Sequence, residues 1–237
     1  MRLFFIRYTK IIFCFLQLHR LFNFLSGFFL NAFYLTKLSQ FIYQNKHTEV
    51  NDFVSKWNYD KRYPLYKTVL EKEVSDEAIN YLEFGVASGA SFRWFLQQNK
   101  NRESRFYGFD TFDGLPEDYG PYKKGSFSTQ NTLPEIDDER SKFYQGLFQQ
   151  TLPSFLKDFD NSKKIILMMD ADLYSATLYV LSVLSASLKK GDIIFFDQFA
   201  VPKHEFRAYL DYTQSHYKNL KLIAAANNFY FVAFKVI

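Results

Sequence analysis

The stretch Tyr81–Ser91, YLEFGVASGAS, decides the fold of this 237-residue chain. An apolar run that contains Glu83 ends in a turn of small residues, in which Gly85 and Gly89 lie four positions apart. This order is typical of a buried β-strand that passes through a glycine turn into a helix. The spacing differs from the G-x-G-x-x-G pattern of dinucleotide-binding folds. The turn therefore predicts a close approach of the backbone to a ligand other than a pyrophosphate.

Apolar runs and helical stretches alternate from Asn80 to the end of the chain. The apolar run Ile165–Met169 has no polar interruption, which is typical of a parallel strand covered on both faces. We predict an α/β fold with an open, doubly wound, mostly parallel sheet and an antiparallel strand at the C-terminal end. The predicted strands are 81–85, 106–109, 143–146, 165–169, 193–196, 220–224 and 229–234, and the helices between them are 92–98, 152–158, 173–188 and 203–217.

Acidic residues stand at the ends of four predicted strands: Glu83, Asp110, Asp170 and Asp197. Parallel strands end at one edge of a sheet, where such folds bind ligands, so these acids predict a ligand site. Glu83 suggests a ligand with a positive charge or hydroxyl donors, and Asp110 is placed to accept both hydroxyls of a ribose. S-adenosylmethionine carries an adenosine ribose and an ammonium group without a phosphate, and it is the cofactor that we predict.

Five segments resemble the macrocin O-methyltransferase family, which belongs to the class I methyltransferases with a Rossmann-like fold. They are YLEFGVASGAS, FYGFDTFDGLPE, YQGLFQQTLP, MMDADLYSAT and GDIIFFDQF, within residues 78–235. The resemblance implies methyl transfer from S-adenosylmethionine to a sugar hydroxyl. It also implies cofactor contacts at Glu83, Gly85, Ala87, Ser88, Gly89, Ser91, Asp110, Thr111, Phe112, Gly146 and Leu147.

The same resemblance implies a magnesium ion at Asp170, Asp197 and Gln198. Such a cation binds oxygen ligands and lowers the pKa of a bound hydroxyl group. Gln198 departs from the family pattern, because a second acid is usual at its position. Asp172 has two interpretations, since it would act at the site or cap the helix that begins at Leu173.

Three residues are candidates for the base that removes the acceptor's proton. His204 follows the fifth strand and is the best-placed histidine, although a surface histidine with no role is the alternative. Asp170 or Asp172 would serve in its place if no metal holds them. The segment 111–140 is too long for an ordinary connection, so it predicts an active-site lid or, alternatively, a disordered loop.

Residues 1–48 form a basic, apolar segment with six Lys and Arg residues and no Asp or Glu. We predict a helical arm here, followed by a methyltransferase domain at 49–237. His19 and Arg20 divide the arm into apolar pieces that are too short to span a bilayer singly. Three interpretations stay open: peripheral membrane contact, packing on the domain or in a homodimer, and a membrane span.

Residues 49–237 hold 23 basic and 25 acidic residues, which gives no reason to expect nucleic-acid binding. The single cysteine, Cys14, favours a reducing compartment. We therefore expect a cytoplasmic protein, which the membrane-contact interpretation of the arm would place on the inner face of a membrane, and a small-molecule, glycan or glycolipid-precursor acceptor. The alternatives are a non-catalytic membrane-associated scaffold and a nicotinamide-dependent sugar oxidoreductase. The Tyr-x-x-x-Lys spacing of the oxidoreductase occurs at Tyr119 and Lys123, but in a Gly/Pro-rich loop.

Overall fold

A computed structural model of the chain describes residues 2–46, 52 and 56–237. Seven strands form one sheet: β1 (Ile79–Phe84), β2 (Arg105–Asp110), β3 (Ser141–Gln145), β4 (Lys164–Met169), β5 (Ile193–Phe196), β6 (Leu220–Ala226) and β7 (Phe231–Val236). Their order is β3-β2-β1-β4-β5-β7-β6, and β7 runs antiparallel to both of its neighbours. The predicted fold class is confirmed, and each predicted strand lies within two residues of the observed one.

The described helices are α1 (Arg2–Phe15), α2 (His19–Asn45), α3 (Arg62–Glu73), α4 (Ala90–Gln98), α5 (Phe148–Phe155), α6 (Tyr174–Leu184) and α7 (Glu205–Ser215), with a short 3-10 helix at Tyr59–Lys61. All four predicted helices of the body are present as α4 to α7. Helix α3 was not predicted, although Leu65, Tyr66, Val69 and Leu70 are spaced as the buried face of a helix.

Aromatic side chains fill the core on both faces of the sheet. Helices α3 and α4 cover one face with side chains such as Tyr66 and Phe95, and α5 to α7 cover the other. The rings of Phe84 and Phe109 stack 4.6 Å apart, and that of Tyr144 continues the stack at 4.9 Å, across three strands. This packing fixes the strand ends that carry the predicted site residues.

The N-terminal arm packs on the body only near the end of α2. Tyr34 and Leu38 are buried, and Phe41 and Ile42 pack against the core. Helix α1 has no buried residue. No single described helix is long and apolar enough to cross a membrane, whereas α1 and α2, bent by 114° at their junction, meet the length and composition criteria as a pair. The predicted boundary at residues 48 and 49 lies outside the described residues.

Candidate active site

A cavity of about 490 Å³ opens at the carboxyl ends of the parallel strands. It lies where the chain, having added β2 and β3 on one side of β1, crosses to β4 on the other. Ligands of doubly wound sheets bind at this switch point, and the volume is within the roughly 300–1,000 Å³ of small-molecule sites. The predicted residues that line the cavity are Gly85, Ala87, Asp110, Thr111, Leu147, Asp170, Asp172 and Gln198.

Gly85 makes the turn at the floor of the cavity. Its φ is +97°, and a Cβ at this position would lie 1.8 Å from the backbone oxygen of Asp170. The backbone segments are close because the Gly85 N–H donates to the Phe109 carbonyl at 3.0 Å and the Asp170 N–H donates to the Phe84 carbonyl at 2.9 Å. Only glycine fits here, which explains the first glycine of the motif.

Asp110 joins this turn to the loop after β2. Its two carboxylate oxygens accept the backbone N–H groups of Ala87 and Phe112 at 2.8 and 2.7 Å. Each oxygen keeps a lone pair for a further donor, so the residue fits the predicted contact with ribose hydroxyls. The ring of Phe112 is instead buried in the core, where it packs on Phe143, and only its backbone serves the site. Gly146 also acts through its backbone, since its N–H donates to the Asp110 carbonyl at 2.9 Å.

The side chain of Glu83, which was predicted to contact the cofactor, does not line the cavity. It is fully buried and accepts hydrogen bonds from the hydroxyls of Tyr81 and Ser91, both at 2.6 Å. Burial raises the pKa of Glu83 to about 8. Alternation along β1 puts Tyr81 and Glu83 on the α4 face, where Glu83 fixes the start of α4. Ser88, Gly89 and Ser91 likewise lie outside the cavity lining.

Asp197 is held by residues that the sequence analysis did not single out. Its carboxylate accepts the hydroxyl of Tyr59 at 2.8 Å and that of Tyr66, and the Arg62 guanidinium lies 3.6 Å away. Burial still raises the pKa of Asp197. The helical spacing of α3 would have placed Arg62 and Tyr66 on one side of a helix, but nothing in the sequence joins them to a residue some 130 positions later.

Gln198 links Asp172 to the lid. Its amide nitrogen donates to Asp172 Oδ1, and its Oε1 accepts the Tyr119 hydroxyl at 2.5 Å. Asp172 makes no capping hydrogen bond to α6, since the N-cap position is Leu173. Burial raises the pKa of Asp172 to about 7. Burial, with the nearby charges of Asp197 and Asp172, raises the pKa of Asp170 well above its ordinary value.

These bonds decide how a metal ion would fit. Of the predicted ligands, Asp197 has both carboxylate oxygens engaged by tyrosines, and Gln198 has its Oε1 engaged by Tyr119. Within the described parts of the chain, no group of three or more Asp, Glu, His or Cys side chains is placed to hold a metal ion. As arranged, Asp170 and Gln198 line the cavity and Asp197 does not, so the predicted set is not gathered around one position for magnesium.

Comparison with known proteins shows which folds this architecture is similar to. Residues 82–199 match the model of a family described as a methyltransferase domain. Among solved structures, the calicheamicin methyltransferase CalS11 is 23% identical with a TM-score of 0.57, over 75% of this chain and 77% of that one. The O-methyltransferase NovP is 20% identical with a TM-score of 0.54, over 75% and 78%. No curated protein sequence matches the chain.

A further structure is apo CalS11, described as a TDP-rhamnose 3′-O-methyltransferase. It is 25% identical with a TM-score of 0.51, over 75% of this chain and 77% of that one. The fold is that of the class I methyltransferases, and residues 82–199 are similar to a methyltransferase domain. Membership of the macrocin O-methyltransferase family within that class stays a prediction.

The predicted lid, segment 111–140, is folded over the cavity. Gly114, Leu115, Pro116, Glu117 and Phe127 line the cavity from segment 111–140. The hydroxyl of Ser175 donates to Glu117 at 2.9 Å, and the hydrogen bond from Tyr119 to Gln198 attaches the lid at a second point. The segment is therefore a structured cover, and the disordered-loop alternative is wrong.

His204 lies behind this lid rather than in the cavity lining. Its ring packs edge-on against that of Tyr119, with centroids 4.6 Å apart, and burial lowers its pKa. Its buried Nδ1 has no hydrogen-bond partner among the described residues. His204 thus lies outside the cavity lining, and of the predicted bases Asp170 and Asp172 are the ones that face the cavity.

Proposed function

We propose that this protein is an S-adenosylmethionine-dependent O-methyltransferase that acts on a sugar hydroxyl. The observation that carries the proposal is that one cavity joins Asp110 and the Gly85 turn to Asp172, so that cofactor-binding groups and a proton acceptor face the same space. The methyltransferase domain at 82–199 supports the cofactor. The 25% identity to a TDP-rhamnose 3′-O-methyltransferase supports a sugar acceptor.

Asp110 and the turn at Gly85 would hold the cofactor. The Asp110 carboxylate would accept ribose hydroxyls, while Thr111 and Leu147 flank it in the cavity lining. The bare backbone at Gly85 allows the ligand to lie against the ends of β1 and β4. S-adenosylmethionine, when bound, supplies an electrophilic methyl group. The protein's task is then to orient an acceptor hydroxyl and remove its proton.

Asp172 is the residue that we assign as the general base. Gln198 occupies its Oδ1, which leaves Oδ2 to take the acceptor's proton as the acceptor oxygen forms its bond to the methyl carbon. A base works best when its pKa is near the working pH, and that of Asp172 is raised to about 7. Asp170 lines the same cavity, where it would form a hydrogen bond with the acceptor, and burial raises the pKa of its carboxyl well above the ordinary value.

Methyl transfer from radiolabelled S-adenosylmethionine tests the proposal. The acceptors would be a nucleotide-activated sugar, a lipid-linked sugar and, for each, an analogue that lacks the target hydroxyl. Label in an O-methyl ether, lost with the deoxy analogue, is the expected result. Label only in amine or thiol acceptors would contradict O-methylation. Parallel reactions with Mg²⁺ and with EDTA test the magnesium prediction separately.

A further inference from the structure

The two N-terminal helices expose large aromatic side chains to solvent. Phe5, Phe15, Phe24 and Phe28 have exposed fractions of 72%, 83%, 79% and 68%. Soluble domains rarely expose contiguous apolar surface on this scale, and when they do it marks an interaction site. The apolar side chains of α1 and of the first half of α2 therefore require a covering partner.

The charge of the arm indicates which partner covers it. On α1, Phe4, Tyr8, Ile11 and Phe15 recur at the three- and four-residue intervals of one helix side, and Arg2 and Lys10 lie toward the other side among further apolar residues. A second copy of the arm would bring six cations against six, whereas an anionic lipid surface complements both the charge and the aromatic side. The arm's cations are Arg2, Arg7, Lys10, Arg20, Lys37 and Lys46, and its sequence contains no acid.

The arm leaves the domain beside the candidate active site. The guanidinium of Arg207 lies 5.5 Å from the ring centroid of Tyr34 in α2 and 3.8 Å from that of Tyr174. Tyr174 begins α6, and its sequence neighbours Leu173 and Ser175 line the cavity. Tyr34, near which the arm meets the domain, therefore lies close to elements that form the cavity.

We infer that residues 2–33 bind the interface of an anionic lipid bilayer and hold the cavity next to the membrane surface. The 114° bend between α1 and α2 allows α1 to lie along the surface while α2 continues into the domain. The identity of the acceptor rests on the proposed function: if the protein methylates a sugar hydroxyl, that sugar is carried by a membrane lipid.

Vesicle binding by the full chain tests the inference, with Cys14 as the probe. This single cysteine is exposed on α1 and accepts an environment-sensitive dye. We expect vesicles of phosphatidylcholine with phosphatidylglycerol to shift the dye emission to the blue and to bind at least about tenfold more tightly than phosphatidylcholine alone. The variant R7Q/K10Q/R20Q should lose about tenfold in affinity for the anionic vesicles. The control K67Q/K100Q/K190Q removes as many exposed charges from the body and should bind like the wild type.

Three results would overturn the inference. One is no dye shift with anionic vesicles, and another is an equal loss in the control variant. The third is a blue shift that depends on protein concentration in buffer alone, because it would show that a second copy covers the arm. Titration of the same samples with S-adenosylhomocysteine reports whether the cofactor site is intact. A failure of membrane binding is thereby distinguished from a failure of the proposed function.

Discussion

Asp172 is the residue on which the proposed chemistry depends most. Its φ of 58° is in the left-handed region, which Asn tolerates as well as Asp does, so Asp172→Asn removes the proton acceptor without disturbing the backbone. We expect kcat to fall by about 10²–10⁴-fold, the usual contribution of a general base, with little change in S-adenosylhomocysteine affinity. The control is Asp113→Asn, at an exposed position of the adjacent loop, which should keep full activity. An equal loss in both variants would contradict the assignment.

The pH dependence follows from the same group. Burial raises the pKa of Asp172 to about 7, and only the ionised carboxylate accepts a proton. We therefore expect kcat/KM to rise with pH and to level off above about pH 7, and to fall as the carboxylate is protonated at lower pH. The residual activity of Asp172→Asn should lack this step. A wild-type profile that stays flat from pH 5 to 9 would argue for another base.

At Gly85, the stability cost of a steric clash can be separated by experiment from the cost of backbone strain. Gly85 and Gly191 share a φ of +97°, but only at Gly85 would a Cβ meet backbone, since the space around Gly191 is open. Gly191→Ala should cost about 1–3 kcal/mol of unfolding free energy from backbone strain alone. Gly85→Ala should cost a further 1–3 kcal/mol or more for the clash. Urea unfolding measures both, and equal costs would mean that β1 and β4 do not approach as described.

Among the elements, the lid is held by few bonds and should open locally. Tyr119→Phe removes the hydrogen bond to Gln198, worth about 0.5–1.5 kcal/mol. We expect trypsin to cleave at Lys123 or Lys124 a few times faster, because proteolysis follows the population of the open form. Tyr122→Phe is the matched control, since the Tyr122 ring is partly exposed and stacks on that of Tyr119. Unchanged cleavage in Tyr119→Phe would show that the bond does not hold the lid.

Sequence periodicity predicted those elements that have one unambiguous pattern. The apolar run at 165–169 and the glycine turn after Phe84 locate β4 and the end of β1 directly. Helix α3 is absent from the prediction because the helical spacing of Leu65, Tyr66, Val69 and Leu70 was not recognised. Because this helix was not predicted, its residues Arg62 and Tyr66, which hold Asp197, were not predicted as part of the site either.

At the scale of the whole molecule, the sequence predicted which acids meet but not what each one does. Topology alone brings Asp110, Asp170 and Asp197 to one edge of the sheet. Whether a side chain faces the cavity or the core depends on strand alternation and on partners distant in sequence. Glu83 therefore faces α4 and Asp197 faces α3, whereas Asp110 and Asp170 line the cavity.

The most direct test of the central claim is calorimetric titration of the full chain with S-adenosylhomocysteine. We expect micromolar or tighter binding, which Asp110→Ala weakens by at least about tenfold, because charge-assisted hydrogen bonds to two hydroxyls contribute about 1.5–3 kcal/mol each. Asp113→Ala, at an exposed position three residues away, should bind like the wild type. Folded protein that shows no binding, or an Asp110→Ala variant that binds as tightly as the wild type, would contradict the account.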